Sequence, residues 1–131
     1  MRLLLDTEIW LWSLSEPERM SDEARRALED VGNELYLSAA SSWEISIKAA
    51  LGKLPLPDVP ARFISSRMAR MGVLGLAIEH AHTWRVYDLP AHHKDPFDRL
   101  IVAQAIVEDI TVVSADGQFR KYAVKLLWGG R

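Results

Sequence analysis

The chain has 131 residues, of which 49% are hydrophobic and 26% are charged, so its composition excludes an intrinsically disordered protein and its length fits one domain over residues 1–131. The formal net charge of −2 excludes a strongly basic surface of the kind that binds nucleic acids without selectivity. The sequence has no cysteine, which excludes disulfides, thiolate metal sites and thiol nucleophiles.

The first part of the chain predicts two strands and three helices. "RLLLD" is typical of a buried strand, and "TEIWLWSL" is a short helix with Thr7 available as its cap. Ser21 is placed to cap the helix "DEARRALEDV", and "ELYLS" is the second strand. The helix "SSWEISIKAALGK" follows, with Ser41 three residues before Glu44 in the pattern of a capping box and Gly52 where the helix should stop.

The second part begins with "GKLPLPDVP", a loop in which three closely spaced prolines prevent both helix and central strand. The helix "ARFISSRMARMG", the strand "VLGLAI", the helix "EHAHTWRVYDL" and the loop "PAHHKDP" come next. Asp95 and Pro96 then open the helix "DPFDRLIVAQAIVED", whose core face is predicted at Leu100, Ala103, Gln104 and Val107. The strand "ITVVSAD", one turn in "GQFRKYA" and the strand "VKLLW" complete the chain.

This alternation of short apolar runs and amphipathic windows is typical of βαβ units. It predicts an α/β fold: a three-layer α/β/α sandwich around a mainly parallel central sheet. Acidic residues follow two of the predicted strands, Asp6 after the first and Asp116 after "ITVVSA". Ligands usually bind at this carboxyl edge of an open parallel sheet, so we expect chemistry there.

Two further acids, Glu44 and Asp98, are predicted in the first turns of their helices. Each of the four has an ordinary structural interpretation. Glu44 fits a capping box, Asp98 complements a helix dipole, and an Asp after a strand is often a turn residue. If all four converge, each close pair of carboxylates costs about 1 to 4 kcal/mol, so a cation is needed to neutralise them.

Carboxylate ligands without cysteine or a spaced pair of histidines favour Mg²⁺ or Mn²⁺ over Zn²⁺. A site of this kind polarises phosphoryl oxygens and activates water, and hydrolysis of a phosphodiester is its natural reaction. Two alternatives stay open. One is a phosphohydrolase that uses Asp6 as a covalent nucleophile with Glu8 as its acid partner. The other is a non-catalytic interaction module whose acids only cap helices.

Four motifs in order, "LLLDTEIWLW", "SAASSWEISIKAALGKL", "HHKDPFDRLIVAQAIVED" and "VVSADGQF", resemble the PIN-domain family and, within it, the VapC-type toxins of bacterial toxin-antitoxin pairs. The resemblance runs from Leu3 to about Trp128. It implies a PIN-like nuclease domain acting as a Mg²⁺- or Mn²⁺-dependent endoribonuclease on RNA, inhibited by a VapB-like antitoxin and paired as a homodimer. Its metal ligands and catalytic residues match four positions, which are Asp6, Glu44, Asp98 and Asp116.

The resemblance also bears on the neighbours of those acids. Ser114 matches a small hydroxyl residue that the family often has near the metal, and Thr7 completes the Asp-Thr pair of the first motif, so both are expected to support the site. Glu8 departs from the family, in which His is common at that position. Asp95 is interpreted as the helix cap and Asp98 as the ligand.

Three cations near the motifs are candidates to contact the RNA backbone: Lys48, one turn after Glu44, Arg99 and Lys94. Surface salt bridges and a solvated loop are the alternatives for them, and His93 is expected in that same solvated loop. No segment is apolar over the length of a membrane-spanning helix, because acids interrupt the first apolar run. We therefore expect a cytoplasmic protein without a membrane partner.

Overall fold

A computed structural model describes residues 1–131 and contains six α-helices and five strands. The strands are β1 Arg2–Leu5, β2 Glu34–Ser38, β3 Val73–Leu76, β4 Thr111–Ser114 and β5 Leu126–Trp128. The helices are α1 Thr7–Ser15, α2 Asp22–Glu29, α3 Ala39–Ala50, α4 Pro60–Met71, α5 His80–Val86 and α6 Pro96–Glu108. Short 3₁₀ turns span Pro17–Arg19 and Gly117–Lys121.

The five strands form one sheet in the order β3-β2-β1-β4-β5, and every neighbouring pair is parallel. Strand β1 lies at its centre, where Leu3 pairs with Leu35 on one side and Thr111 on the other. The connections up to β4 cross over through α-helices and that from β4 to β5 through the 3₁₀ turn Gly117–Lys121, and all five strands end at one edge. The predicted three-layer α/β/α sandwich is confirmed.

The unbroken run of leucines in β1 is explained by burial on both faces. Leu3 and Leu5 pack into one core cluster together with Trp10, whereas Leu4 packs into a second cluster with Ile101 on α6. Side chains of a strand alternate between the two faces, so a strand covered by helices on both sides needs no polar alternation. This double burial fixes the position at which β1 ends and Asp6 begins.

Three local predictions were wrong. Thr7 does not cap α1, because Asp6 occupies the N-cap position and Thr7 is the first helical residue. Ser41 is not the cap of α3 either: the helix begins one turn earlier at Ala39, and the Ser38 hydroxyl accepts the N–H of Ala40. Glu44 therefore lies in the second turn, beyond the reach of a capping box.

The predicted core face of α6 was also too narrow. The helix buries a continuous segment, 101–105, whereas Val107 is 41% exposed. This helix is covered by other elements over more than one face, since it packs against α5, α3 and β4. A helix with that environment does not show the single apolar stripe of a surface helix. None of the helices combines the length and apolar character needed to cross a membrane.

Candidate metal centre

Four predicted site residues, Asp6, Glu44, Asp98 and Asp116, line one cleft of about 370 Å³ at the carboxyl edge of the sheet. Asp6 directly follows β1 and Asp116 lies two residues past β4, and these strands are neighbours. Glu44 comes from the second turn of α3 and Asp98 from the first turn of α6. Folding thus brings together acids that lie up to 110 positions apart in the sequence.

The main chain of Asp6 completes both the strand and the helix that follows it. Its N–H donates to Val113 O at 3.0 Å, and its carbonyl accepts the N–H of Trp10 at 3.0 Å. Its side chain makes no capping hydrogen bond and accepts instead from the Ser114 hydroxyl at 2.7 Å. Burial raises the pKa of Asp6 to about 6, since the carboxylate is 5% exposed and only partly compensated by that hydrogen bond.

Ser114 connects the first and fourth acids. Its hydroxyl donates to Asp6 and accepts the main-chain N–H of Asp116 at 3.0 Å, so it sets the spacing between the two. Asp116 uses Oδ1 to accept the N–H of Gln118 at 2.9 Å, which starts the 3₁₀ turn. One oxygen of Asp116 therefore has an ordinary capping role, and the other faces the cleft.

Glu44 is 7% exposed, and its two oxygens differ. Oε2 accepts from the Lys48 ammonium at 2.7 Å, which raises the pKa of Lys48, while Oε1 is buried and has no hydrogen-bond partner. An unpaired buried carboxylate oxygen is costly. The Thr7 hydroxyl donates to Ser41 at 2.8 Å, which ties the start of α1 to α3 next to this site.

The pKa of Asp98 is raised further than that of Asp6. Its pKa is raised to about 8, first by burial and then by the negative charges of Asp6, Asp95, Glu44 and Asp116. Asp95 itself is confirmed as the cap of α6, because its Oδ1 accepts the N–H groups of Phe97 and Asp98. Ionisation of all the acids in the cleft is therefore unfavourable unless a cation neutralises their charge.

The expectation that His93 lies in a solvated loop was wrong. Its side chain is 14% exposed; Nε2 lies 2.9 Å from Oδ2 of Asp98 and is hydrogen-bonded to Oδ2 of Asp116, also at 2.9 Å. These three side chains have ligand atoms within 4.8 Å of one another. The only indication in the sequence that His93 belongs to the site is its position in the same motif as Asp98. That position does not determine the direction of the imidazole ring.

The three predicted RNA contacts differ in their position relative to the cleft. Arg99 does not line the cleft, and its guanidinium donates to Val86 O at the end of α5 at 3.3 Å and to Pro90 O in the following loop at 2.9 Å, so its contact with RNA stays a prediction. Lys48 lines the cleft and is about half exposed. Lys94 is exposed but does not line it. Lys53 and Glu8, the latter exposed, line the mouth of the cleft as well.

A second depression of about 440 Å³ adjoins the acidic cleft. It lies between α1, the proline-containing loop and α4, and it is partly apolar. Glu8, Leu11 and Leu54 border both depressions. We call this depression the apolar groove, and six of its twelve lining residues are hydrophobic. Its members besides Glu8, Leu11 and Leu54 are Trp12, Leu14, Ser15, Glu16, Pro55, Leu56, Pro57, Phe63 and Arg67.

The donor set fits a hard divalent cation. All four acids offer oxygen, the preferred ligand of Mg²⁺ and Mn²⁺, and the buried Oε1 of Glu44 has no protein partner. A bound cation would also remove the conflict that raises the pKa of Asp98. Asp6, Glu44, Asp98 and Asp116 line the same cleft, but of these four only Asp98 and Asp116 belong to the group whose ligand atoms lie within 4.8 Å of one another. The role of all four as ligands stays a prediction.

Comparisons with known proteins agree with this architecture. Residues 3–125 match the PIN domain family. The chain is 48% identical over 62 residues to "Ribonuclease VapC16" of Mycobacterium tuberculosis, a match that spans 47% of this chain and 44% of that relative. It is 29% identical over 121 residues to "Ribonuclease VapC22" of the same organism, covering 92% of this chain and 91% of the relative.

Among solved structures, the fold is similar to a chain from "VapBC2 from Rickettsia felis bound to a DNA fragment from their promoter". The TM-score is 0.75 at 17% identity, with 98% of this chain and 99% of the other covered, so the likeness concerns the fold. The family match covers almost the whole chain, and the resemblance seen in the four motifs is confirmed. This chain belongs to the PIN domain family, and its curated relatives are VapC-type proteins.

Proposed function

We propose that this protein is an endoribonuclease that depends on Mg²⁺ or Mn²⁺ and cleaves RNA phosphodiester bonds. The proposal rests on the presence of four carboxylates in one cleft. One of them, Glu44, has a buried oxygen without a hydrogen-bond partner. A divalent cation supplies charge neutralisation, polarisation of phosphoryl oxygens and activation of water. RNA as the substrate is supported by the ribonuclease names of two relatives.

The residues of the chain then have distinct tasks. Asp6, Glu44, Asp98 and Asp116 bind the cation, directly or through water. Ser114 holds Asp6 by its hydroxyl and Asp116 by its main-chain N–H, so these two acids keep a fixed spacing.

Two lysines at the cleft give the negatively charged substrate a local attraction. Lys48 and Lys53 both line the cleft that holds the acids. Positive charges beside the site attract phosphate groups of an RNA backbone. A protein with net charge −2 needs such a local attraction to bind RNA at all.

The second part of the proposal is inhibition by a VapB-like antitoxin. The structural neighbour from Rickettsia felis is a VapBC complex, which supports a partner of this class. We place the antitoxin segment in the apolar groove, because the groove shares Glu8, Leu11 and Leu54 with the acidic cleft. A segment bound there would cover the entrance used by RNA.

The third part is a homodimer. Helix α3 and the residue that follows it present Trp43, Ile47 and Leu51, whose exposures are 58%, 37% and 63%. These residues are spaced four apart and form a stripe along the helix, and a continuous exposed apolar stripe is typical of a protein interface. Light scattering coupled to size exclusion tests this part, with Leu51→Glu expected to shift a dimer to a monomer.

The central experiment is cleavage of a mixed RNA pool by the purified wild type with Mg²⁺ or Mn²⁺, and with EDTA. We expect cleavage with metal, none with EDTA, and loss of cleavage in Asp98→Asn. Asp88→Asn is the matched control, because it changes an aspartate whose side chain is 65% exposed and which does not line the cleft. Circular dichroism establishes that both variants stay folded.

Two outcomes would contradict the proposal. Phosphate bound covalently to Asp6 would favour the phosphohydrolase with an aspartate nucleophile. A wild type that binds no divalent ion in calorimetry, while Asp98→Asn leaves its properties unchanged, would favour a non-catalytic interaction module.

A further inference from the structure

His93 has a tautomer fixed by its surroundings. Its Nδ1 accepts the main-chain N–H of Asp95 at 3.1 Å, so this nitrogen carries a lone pair. A neutral imidazole has a single N–H, which must then be on Nε2. Nε2 therefore donates to Asp116 Oδ2 at 2.9 Å, and Asp98 Oδ2 lies 2.9 Å from the same nitrogen.

The ring is held from several sides. The main-chain N–H of His93 donates to the hydroxyl of Tyr122 at 2.8 Å, and Tyr122 is 6% exposed. Phe119 packs edge-on against the ring, with 6.2 Å between centroids. Arg99 donates to Pro90 O and anchors the start of the same loop. These contacts come from the 3₁₀ turn, its following residue and α6, so the loop presents the ring in a defined direction.

We infer that His93 is a positioning residue of the metal centre, which donates from Nε2 to Asp116, lies against Asp98 and sets the spacing of these acids without being a ligand. The inference rests on the proposed function. Ligation through Nε2 would require the proton on Nδ1, where it would face the N–H of Asp95. Outer hydrogen bonds of this kind orient metal-binding carboxylates.

The first test measures Mn²⁺ affinity by calorimetry in wild type, His93→Leu, His93→Gln and the neighbouring control His92→Leu. We expect His93→Leu to bind Mn²⁺ about 10 to 100-fold more weakly. His93→Gln retains an N–H donor near the position of Nε2 and should recover most of that loss, and His92→Leu should bind like wild type. Unchanged affinity in His93→Leu would overturn the inference.

The second test reads the tautomer directly in the wild-type protein, so it does not depend on how well a variant folds. Long-range ¹H–¹⁵N spectra of ¹⁵N-histidine protein should show a protonated Nε2 and an unprotonated Nδ1, both before and after Mg²⁺ addition. Loss of the Nε2 proton on Mg²⁺ addition would make His93 a ligand and overturn the inference. A correct tautomer in a wild type that binds no metal would instead count against the proposed function.

Discussion

Metal binding to the cleft should release about one proton at pH 7. The perturbation is addition of Mn²⁺, and the magnitude follows from the pKa values of two acids in the metal-free protein. With a pKa of about 8, Asp98 holds about 0.9 proton at pH 7. Asp6, with a pKa of about 6, holds about 0.1. A cation that binds only the ionised carboxylates displaces both fractions.

The assay is titration calorimetry at pH 7 in two buffers of different ionisation enthalpy, from which the number of protons released is obtained. The same titration at pH 9 is the control, because Asp98 is then ionised before metal arrives and only about 0.1 proton should be released. The apparent affinity should rise about 15 to 20-fold from pH 6 to pH 7, because Asp98 and Asp6 both lose protons over this range. Equal proton release at pH 7 and pH 9 would refute the assignment of Asp98 to the metal.

Three predictions concern stability. In the metal-free protein, the pKa of Asp98 is higher in the folded than in the unfolded state, so the free energy of unfolding should fall as the pH rises from about 4 to about 8. The fall amounts to about 1.4 kcal/mol per unit of pKa shift. Urea titrations should show a smaller fall in Asp98→Asn. Arg99→Ala should lower the free energy of unfolding by about 1 to 3 kcal/mol, because it leaves the carbonyls of Val86 and Pro90 without this donor. Arg62→Ala, at an exposed ion pair, should leave the free energy of unfolding close to that of the wild type in the same assay. Ser38→Ala removes the cap of α3 and a buried hydrogen bond to Gln104, and should lower the thermal midpoint through a loss of about 1 to 3 kcal/mol; an unchanged midpoint would contradict this role.

Strand-end residues were predictable from sequence because the topology of a parallel sheet determines where they lie. An apolar run such as β1 must be buried on both faces, and the next residue then emerges at the carboxyl edge. The position of Asp6 at this edge could be predicted from the sequence of β1 alone. The same reasoning located Asp116 after β4, and the two acids line one cleft because these strands are adjacent.

Directions of side chains in loops and at helix starts were not predictable in this way. The segment "SAASS" offers three serines as caps, and the choice of Ser38 depends on where β2 ends in the sheet. Arg99 lies next to Asp98, but successive residues on a helix point about 100° apart, which sends Arg99 towards the loop carbonyls. His93 is directed by a hydrogen bond from the main chain to Tyr122, 29 positions later.

The order of the strands determines when, during synthesis, the proposed ribonuclease activity could begin. Strand β4 is inserted between β1 and β5, although it is the fourth to be synthesised. A nascent chain that ends before Thr111 therefore has Asp6 on an open sheet edge and lacks Asp116 altogether. The acidic cleft cannot be complete until Asp116 has been synthesised, so the proposed activity would begin only after nearly the whole chain has been made.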